Sequence, residues 1–415
     1  MELVNPVPVE DAEPWVAAMW TTLLAAPWED DFARSVAYWR REWLAGRTWG
    51  MRDRGRWVAT LATEPRTLTV PGAPGTTRDL AADALTAVTV AATHRRRGAL
   101  TQMITQSLEQ AVARGDALSM LIAAEWPIYG RFGYAPATRA ADYTLSTRWA
   151  GAEVSPDPRG TLRQVDTDEL GKHAASIFDT ARRRWPGQVD RPRDWWARRL
   201  GLDGYEMSSH SRGTWILHDT DGEPDGLLAW KVTRDFELNG DYGKIEVFEH
   251  VAASDTAYRN LWAYLCSLDV IEEATLHRRS VDEPVRWLLH DGRALRATYT
   301  GDDLWLRLLD VPAALSARGY ACPGRIVFDV LDPDLGWAAG RYALEAGEDA
   351  AVCERTSDEA DLRLPQRVLA SAYLGEHSIR SLAVAGGVDE LRDGAIARAD
   401  AMFASPLRPW NATGF

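Results

Sequence analysis

Three consecutive arginines, Arg95, Arg96 and Arg97, run into Gly98 where a strand gives way to a helix, and Tyr129 follows one strand later in Tyr129-Gly-Arg-Phe-Gly133. A helix start gathers unpaired backbone N–H groups at the positive end of the helix dipole, and such groups hold phosphate oxygens. The arginines add charge where a pyrophosphate would lie, and Gly98 lets the backbone come close to it. That arrangement suits coenzyme A, and a tyrosine nearby can protonate a departing thiolate. An amine attacks a thioester only when unprotonated, so the same chemistry calls for a base such as a carboxylate. An arginine triplet alone is more often a solvated face, and a lone tyrosine more often packing. The strand before the loop and Gly98 after it favour the functional reading.

The elements that would position these residues follow from periodicity. Residues 85–90 alternate as a strand, Leu100, Met103, Ile104, Leu108, Ala111 and Val112 keep helical spacing, and Gly115 ends that helix. An apolar strand at 117–124 completes a strand–helix–strand unit, for which parallel pairing and a right-handed crossover are the default. Upstream, 57–61 and 66–70 read as paired strands after a helical, tryptophan-rich stretch at 15–43, and 71–75 reads as a turn. A linker is expected at 151–160. Strands at 214–217, 227–232 and 245–251, then a helix at 255–268, repeat the first order, with Ala252-Ala-Ser-Asp255 in place of the arginines. From about 301 strands are expected at 304–308, 326–330 and 341–344, with helices at 312–317, 365–374 and 389–403. The resulting division is 1–150, 151–300 and 301–415.

Composition bounds the rest. A chain of 415 residues with 46% hydrophobic and 26% charged residues is an ordinary globular protein of two or three domains. Its net charge of −13 argues against general nucleic-acid affinity and is compatible both with cationic substrates and with solubility alone. The start is acidic and proline-rich rather than a basic-then-apolar leader, and no apolar run is long enough for a bilayer. Cys266, Cys322 and Cys353 form no CxxC pair, which favours a reducing cytoplasm and makes the Asn411-Ala-Thr413 sequon accidental. Eight histidines without ligand spacing predict no metal centre. Dinucleotide, Walker, zincin and G-x-S-x-G motifs are absent.

Arg95-Arg-Arg-Gly98-Ala-Leu100 resembles the Arg/Gln-x-x-Gly-x-Gly/Ala motif of GNAT acetyltransferases and departs from it at Leu100. The wider strings are Val90-Ala-Ala-Thr-His-Arg-Arg-Arg-Gly98, Glu125-Trp-Pro-Ile-Tyr-Gly-Arg-Phe-Gly-Tyr134, Leu304-Trp-Leu-Arg-Leu-Leu-Asp-Val-Pro-Ala-Ala-Leu315, Ala317-Arg-Gly-Tyr320 and Tyr373-Leu-Gly375. Together they resemble the Eis (enhanced intracellular survival) family of acetyl-CoA-dependent N-acetyltransferases along nearly the whole chain. The resemblance implies an α/β architecture of three parts: a mixed-sheet GNAT domain, a second GNAT-like domain and a C-terminal α+β domain similar to sterol carrier proteins. It also implies a hexamer and acceptors that are aminoglycosides, lysine side chains or polyamines.

By the same resemblance Val88, Thr89 and Val90 flank the pantetheine arm, with backbone groups of Val88 and Val90 offered to it. Arg95, Arg96, Arg97, Gly98, Ala99, Leu100 and Thr101 would surround the pyrophosphate, with Ala124 and Glu125 also beside acetyl-CoA. Tyr129 matches the family's general acid, and the terminal carboxylate, here that of Phe415, its base. Where the family commonly has small residues, this chain has Trp126-Pro127. Most of the tryptophans are expected to be core. Trp15, Trp28, Trp39 and Trp185 are nonetheless candidates for a wall that stacks on cationic substrates. Glu29, Asp30 and Asp31 could attract ammonium groups or form a solvated loop. A different class also fits the chain: a lipid- or ligand-binding carrier with an idle GNAT site.

Overall fold

The alternation at 85–90 is the end of a longer strand, Thr77–Val90, whose partner Arg56–Pro71 runs unbroken through both segments expected as separate strands. They pair antiparallel from Pro71↔Thr77 to Ala59↔Val90, closed by the Gly72–Thr76 turn. Pro65 does not interrupt the strand. On that side the neighbour Thr48–Asp53 pairs only as far as Ala62, so no partner needs the N–H that proline lacks.

The computed structural model describes residues 1–24, 29–41, 43, 46–150, 156–202, 213–235, 242–333 and 335–415. The chain divides into two units. One comprises Met1–Thr138, Asp303–Pro406 and Gly414–Phe415, the other Arg139–Asp302 and Leu407–Thr413.

In the first unit a seven-stranded sheet runs in the order Glu2–Val4, Thr48–Asp53, Arg56–Pro71, Thr77–Val90, Leu118–Ile122, Leu304–Leu308, Ala135–Pro136. The helix Ala99–Arg114 crosses over between Thr77–Val90 and Leu118–Ile122, which pair in parallel. It buries Ala99, Met103, Ile104, Leu108 and Ala111 against the sheet and stops at Gly115, φ +84°, whereas Val112 turns outward. The same unit carries a five-stranded sheet, Ala351–Arg355, Gly340–Ala346, Gly324–Leu331, Leu362–Pro365, Asp389–Glu390. The helix expected at 389–403 begins only at Ala395, after Gly394 at φ +79°, and Asp389–Glu390 pairs with Leu362–Pro365.

The second unit holds the other seven-stranded sheet: Leu295–Asp302, Arg139–Ser146, Ile271–Arg279, Gly243–Ala252, Glu223–Arg234, Thr214–Thr220, Gly160–Val165. Three antiparallel strands lead through the helix Asp255–Cys266 into a parallel fourth, as in the first sheet.

Pairing moves the expected boundaries. Arg139–Ser146 bonds to Ile271–Arg279 and Leu295–Asp302, so the second unit starts at 139 rather than 151. Leu304–Leu308 inserts between Leu118–Ile122 and Ala135–Pro136, so the third segment supplies a strand of the first sheet.

Candidate active site

Thr77–Val90 and Leu118–Ile122 pair only from Ala82↔Leu118 to Ala84↔Met120. Leu118–Ile122 pairs along its whole length on its other side with Leu304–Leu308, and beyond Ala84 the backbone of 85–90 has no strand partner towards it among the described residues. A bulge reinforces the parting. Ala87 takes φ +52°, the register with Arg56–Pro71 shifts there, and Thr60 Oγ1 donates to the Ala87 carbonyl at 2.8 Å while meeting Thr89 Oγ1 at 2.6 Å. Thr89 is thereby a buried side chain bonded across the sheet, and half-buried Val88 and Val90 flank an open backbone edge. Nothing in an Ala-Val pair announces a bulge, and sequence reasoning passed over Ala87 and Thr60.

After Val90 a short turn, Ala92–His94, is tied down by His94 Nε2 to Asp53 Oδ2 at 3.1 Å. Arg96 and Gly98 then take left-handed φ of +62° and +82°. A side chain is strained in that region, which suits glycine at 98. No side chain caps the helix Ala99–Arg114. Arg95, Arg96 and Arg97 are exposed, with no ion pair among the described residues. Ala99 is buried, Leu100 half-buried against the core and Thr101 exposed. A helix start without a side-chain cap, beside three cations without an ion pair among the described residues, is an arrangement that can hold an anion. Ala124 and Glu125 lie exposed just past Leu118–Ile122.

Tyr129 ends the short helix Trp126–Tyr129 and is buried, its ring 6.3 Å from that of Tyr134. Its hydroxyl has no hydrogen-bond partner among the described residues. Burial, reinforced by the Glu125 carboxylate, pushes the phenol up to about 12, because both disfavour the phenolate. The group therefore keeps its proton at neutral pH. Its seat is fixed from behind: Arg307, fully buried and paired with Asp332 at 2.9 Å, donates to the Phe132 carbonyl at 2.7 Å. Trp126 stays 60% exposed with its ring edge-on to Trp305 at 4.9 Å.

The proposed aromatic wall fares differently residue by residue. Trp15 has no exposed surface. Its indole donates to the Trp49 carbonyl at 3.0 Å, and the rings of Trp39 and Trp43 stand edge-on at 5.1 and 5.3 Å. It is a core residue and cannot stack on a substrate. Trp39 is buried beside it, packed edge-on to Tyr38. Trp28 and the side chains of Glu29, Asp30 and Asp31 lie outside the described residues. Trp185 is half-buried and lines a small cleft within the second unit, with Tyr258, His250, Glu283 and Trp410. There Glu283 accepts from Tyr258 at 2.5 Å and from Arg279 at 2.9 Å. Burial, helped by Arg279, holds the His250 imidazole well below its usual range, hence neutral.

The second unit repeats the parted strands but fills the place differently. Gly243–Ala252 leaves Ile271–Arg279 after Val247, and Arg279 Nη1 donates to the His250 carbonyl at 3.0 Å. Ser254 caps the helix Asp255–Cys266 through the Ala257 N–H at 3.0 Å, and Asp255 puts a carboxylate in its first turn, paired with Arg184. Such a start repels an anion.

Phe415 is half-buried, and Gly414–Phe415 group with the unit that carries Tyr129, while Leu407–Thr413 group with the other. No helix among the described residues is long and apolar enough to cross a membrane.

Family models assign these parts. Residues 10–137 and 187–308 each match an acetyltransferase (GNAT) domain, and 311–412 match a sterol carrier protein domain. The protein is thus an acetyltransferase of the GNAT class, an enzyme that draws on an acyl-CoA. It is 37% identical to an uncharacterized N-acetyltransferase of Streptomyces avermitilis, over 98% of this chain and 97% of that one. Its identity to the N-acetyltransferase Eis of Mycobacterium tuberculosis is 34%, covering 82% of this chain and 81% of Eis. The crystal structure of Eis1 from Mycobacterium abscessus superposes with a TM-score of 0.85 at 30% identity, covering both chains fully. The chain belongs to the Eis family of N-acetyltransferases.

Proposed function

We propose that the protein moves an acetyl group from acetyl-CoA to amines of polycationic substrates such as aminoglycosides, lysine side chains or polyamines. The observation that carries this reading is the open edge at 85–90 leading into an uncapped, arginine-lined helix start, with the unpartnered Tyr129 hydroxyl one strand away. Backbone groups of Val88 and Val90 hold the pantetheine arm. Arg95, Arg96 and Arg97 and the N–H groups of 99–101 hold the pyrophosphate, and Ala124 and Glu125 border the arm from just past the facing strand.

Transfer is direct. The Phe415 carboxylate takes a proton from the acceptor ammonium, and the freed amine attacks the thioester carbon. The C–S bond breaks, the thiolate receives the Tyr129 proton, and the second proton shed by the nitrogen as the amide forms returns the phenolate to the phenol. A phenol raised to about 12 is reliably protonated before that step. The rest of the rate comes from holding two substrates in register.

An amine acceptor is supported by the relatives' naming as N-acetyltransferases, and the net charge of −13 is compatible with a cationic one. A cytoplasmic setting is supported by three free cysteines, and strongly exposed Trp149 and Trp287 are compatible with self-association, for which the family reading implies a homo-hexamer. Sedimentation equilibrium reads the assembly.

Free-thiol release from acetyl-CoA across a panel of aminoglycosides and polyamines tests the activity. CoA release that depends on the amine is expected. No release of CoA with any amine of the panel would leave the carrier reading.

A further inference from the structure

The geometry points to Arg191 and Gln188 as positioning residues for acetyl transfer, which lock the C-terminal tail at 410–413 so that the carboxylate two residues on has a fixed reach. The inference rests on the reading of the Phe415 carboxylate as base.

Five polar groups of this short tail are claimed by one segment, 186–191. The Trp410 N–H donates to the Pro186 carbonyl at 3.2 Å, and Gln188 Nε2 donates to the Trp410 carbonyl at 2.8 Å. The Ala412 N–H returns to Gln188 Oε1 at 3.4 Å. Arg191 Nη2 donates to the Ala412 carbonyl at 2.6 Å and its Nε to Thr413 Oγ1 at 3.1 Å, while that hydroxyl donates to the Val189 carbonyl at 2.7 Å. Asn411 folds the tail on itself, Nδ2 to the Thr413 carbonyl at 2.7 Å and Oδ1 from the Thr413 N–H at 3.0 Å. Asn411 and Thr413 have no exposed surface, and Gln188 has 2%.

A chain end normally frays. Here the fork that prevents fraying is itself held. Arg191, 7% exposed, gives Nη1 to Glu249 Oε2 at 2.8 Å, and Arg199 Nε takes the other oxygen at 2.9 Å. The guanidinium lies 4.3 Å from both the Phe178 and Trp195 rings. A buried pair, Arg191 and Glu249, joined by the half-buried Arg199, is weak as a source of stability and strong as a setter of one geometry. Two residues beyond Thr413 extend at most about 7 Å, so anchoring Thr413 bounds where the Phe415 carboxylate can stand. A base misplaced by about an ångström loses on the order of a hundredfold in rate.

The test uses the full chain with Thr413→Val, nearly isosteric but unable to donate to Val189, and Gln188→Met, which keeps side-chain length. Either carries the test should the other fail to fold. Thiol release is followed with an aliphatic diamine from about pH 7 to about pH 10, where more of the amine is already neutral. Expected is a fall in kcat of roughly tenfold or more near pH 7, an unchanged KM for acetyl-CoA, and a deficit that shrinks as pH rises. Thr413→Ser, which keeps the hydroxyl, should restore the rate. A kcat within about twofold of the parent, or a deficit independent of pH and not restored by serine, would overturn the assignment. A separate chain extended past Phe415 distinguishes the two readings. Full activity there removes the carboxylate base itself, whereas a slowed extension with normal clamp variants removes only the clamp.

Discussion

The guanidinium of Arg307 occupies the space that a side chain at Gly133 would need. A Cβ there would lie 1.7 Å from Arg307 Nη1, the nitrogen that holds the Phe132 carbonyl, and Gly133 sits at φ +79°. Gly133→Ala must therefore move a fully buried arginine away from Asp332 or unwind the turn behind Tyr129. The expected cost is about 3 kcal/mol, read as a first thermal transition lowered by several degrees. A melt within a degree of the parent would refute the close approach.

Tyr129→Phe keeps the ring in its apolar seat and removes only the proton donor. The expected result is a kcat lower by roughly 10²- to 10³-fold with acetyl-CoA affinity within about twofold by titration calorimetry. Weakened cofactor binding with intact turnover would make Tyr129 a packing residue.

Because burial favours the protonated phenol, its loss as an acid is confined to strongly alkaline solution, near 12. The pH profile of kcat/KM should climb through neutral pH as amine and base lose protons and show no descending limb from Tyr129 below about pH 10. A descending limb at about pH 8 to 9 that disappears in Tyr129→Phe would contradict this.

Arg95→Ala and Arg96→Ala remove exposed, unpaired cations beside the uncapped helix start. Each should raise the KM for acetyl-CoA by about tenfold, near 1.4 kcal/mol, leave kcat unchanged and flatten the salt dependence of binding. An equal loss in kcat would place these side chains at the chemistry instead.

The candidate site was legible where residue types have a local signature. Arg95 to Gly98 and Tyr129 stand out as candidates by type and spacing, and the helix Ala99–Arg114 by its buried face and Gly115. The bulge at Ala87 was invisible, because φ +52° there is imposed by Thr60 and the diverging strands rather than by alanine. Trp15 and Trp39 misled, since composition cannot distinguish an aromatic wall from an aromatic core. The apparent sequon at Asn411 is a buried turn whose amide serves the tail. Long-range pairing was the hardest to see: nothing local in Leu304–Leu308 says that its partners are Leu118–Ile122 and Ala135–Pro136.

That strand also governs how the enzyme is made. A nascent chain leaving the ribosome has the arginine loop and Tyr129 early, but the neighbour of Leu118–Ile122 is translated only after the whole span Arg139–Asp302. Until then an apolar strand edge stands open, inviting pairing with other chains, so synthesis rate and chaperone supply should bear on yield more than for a contiguous domain.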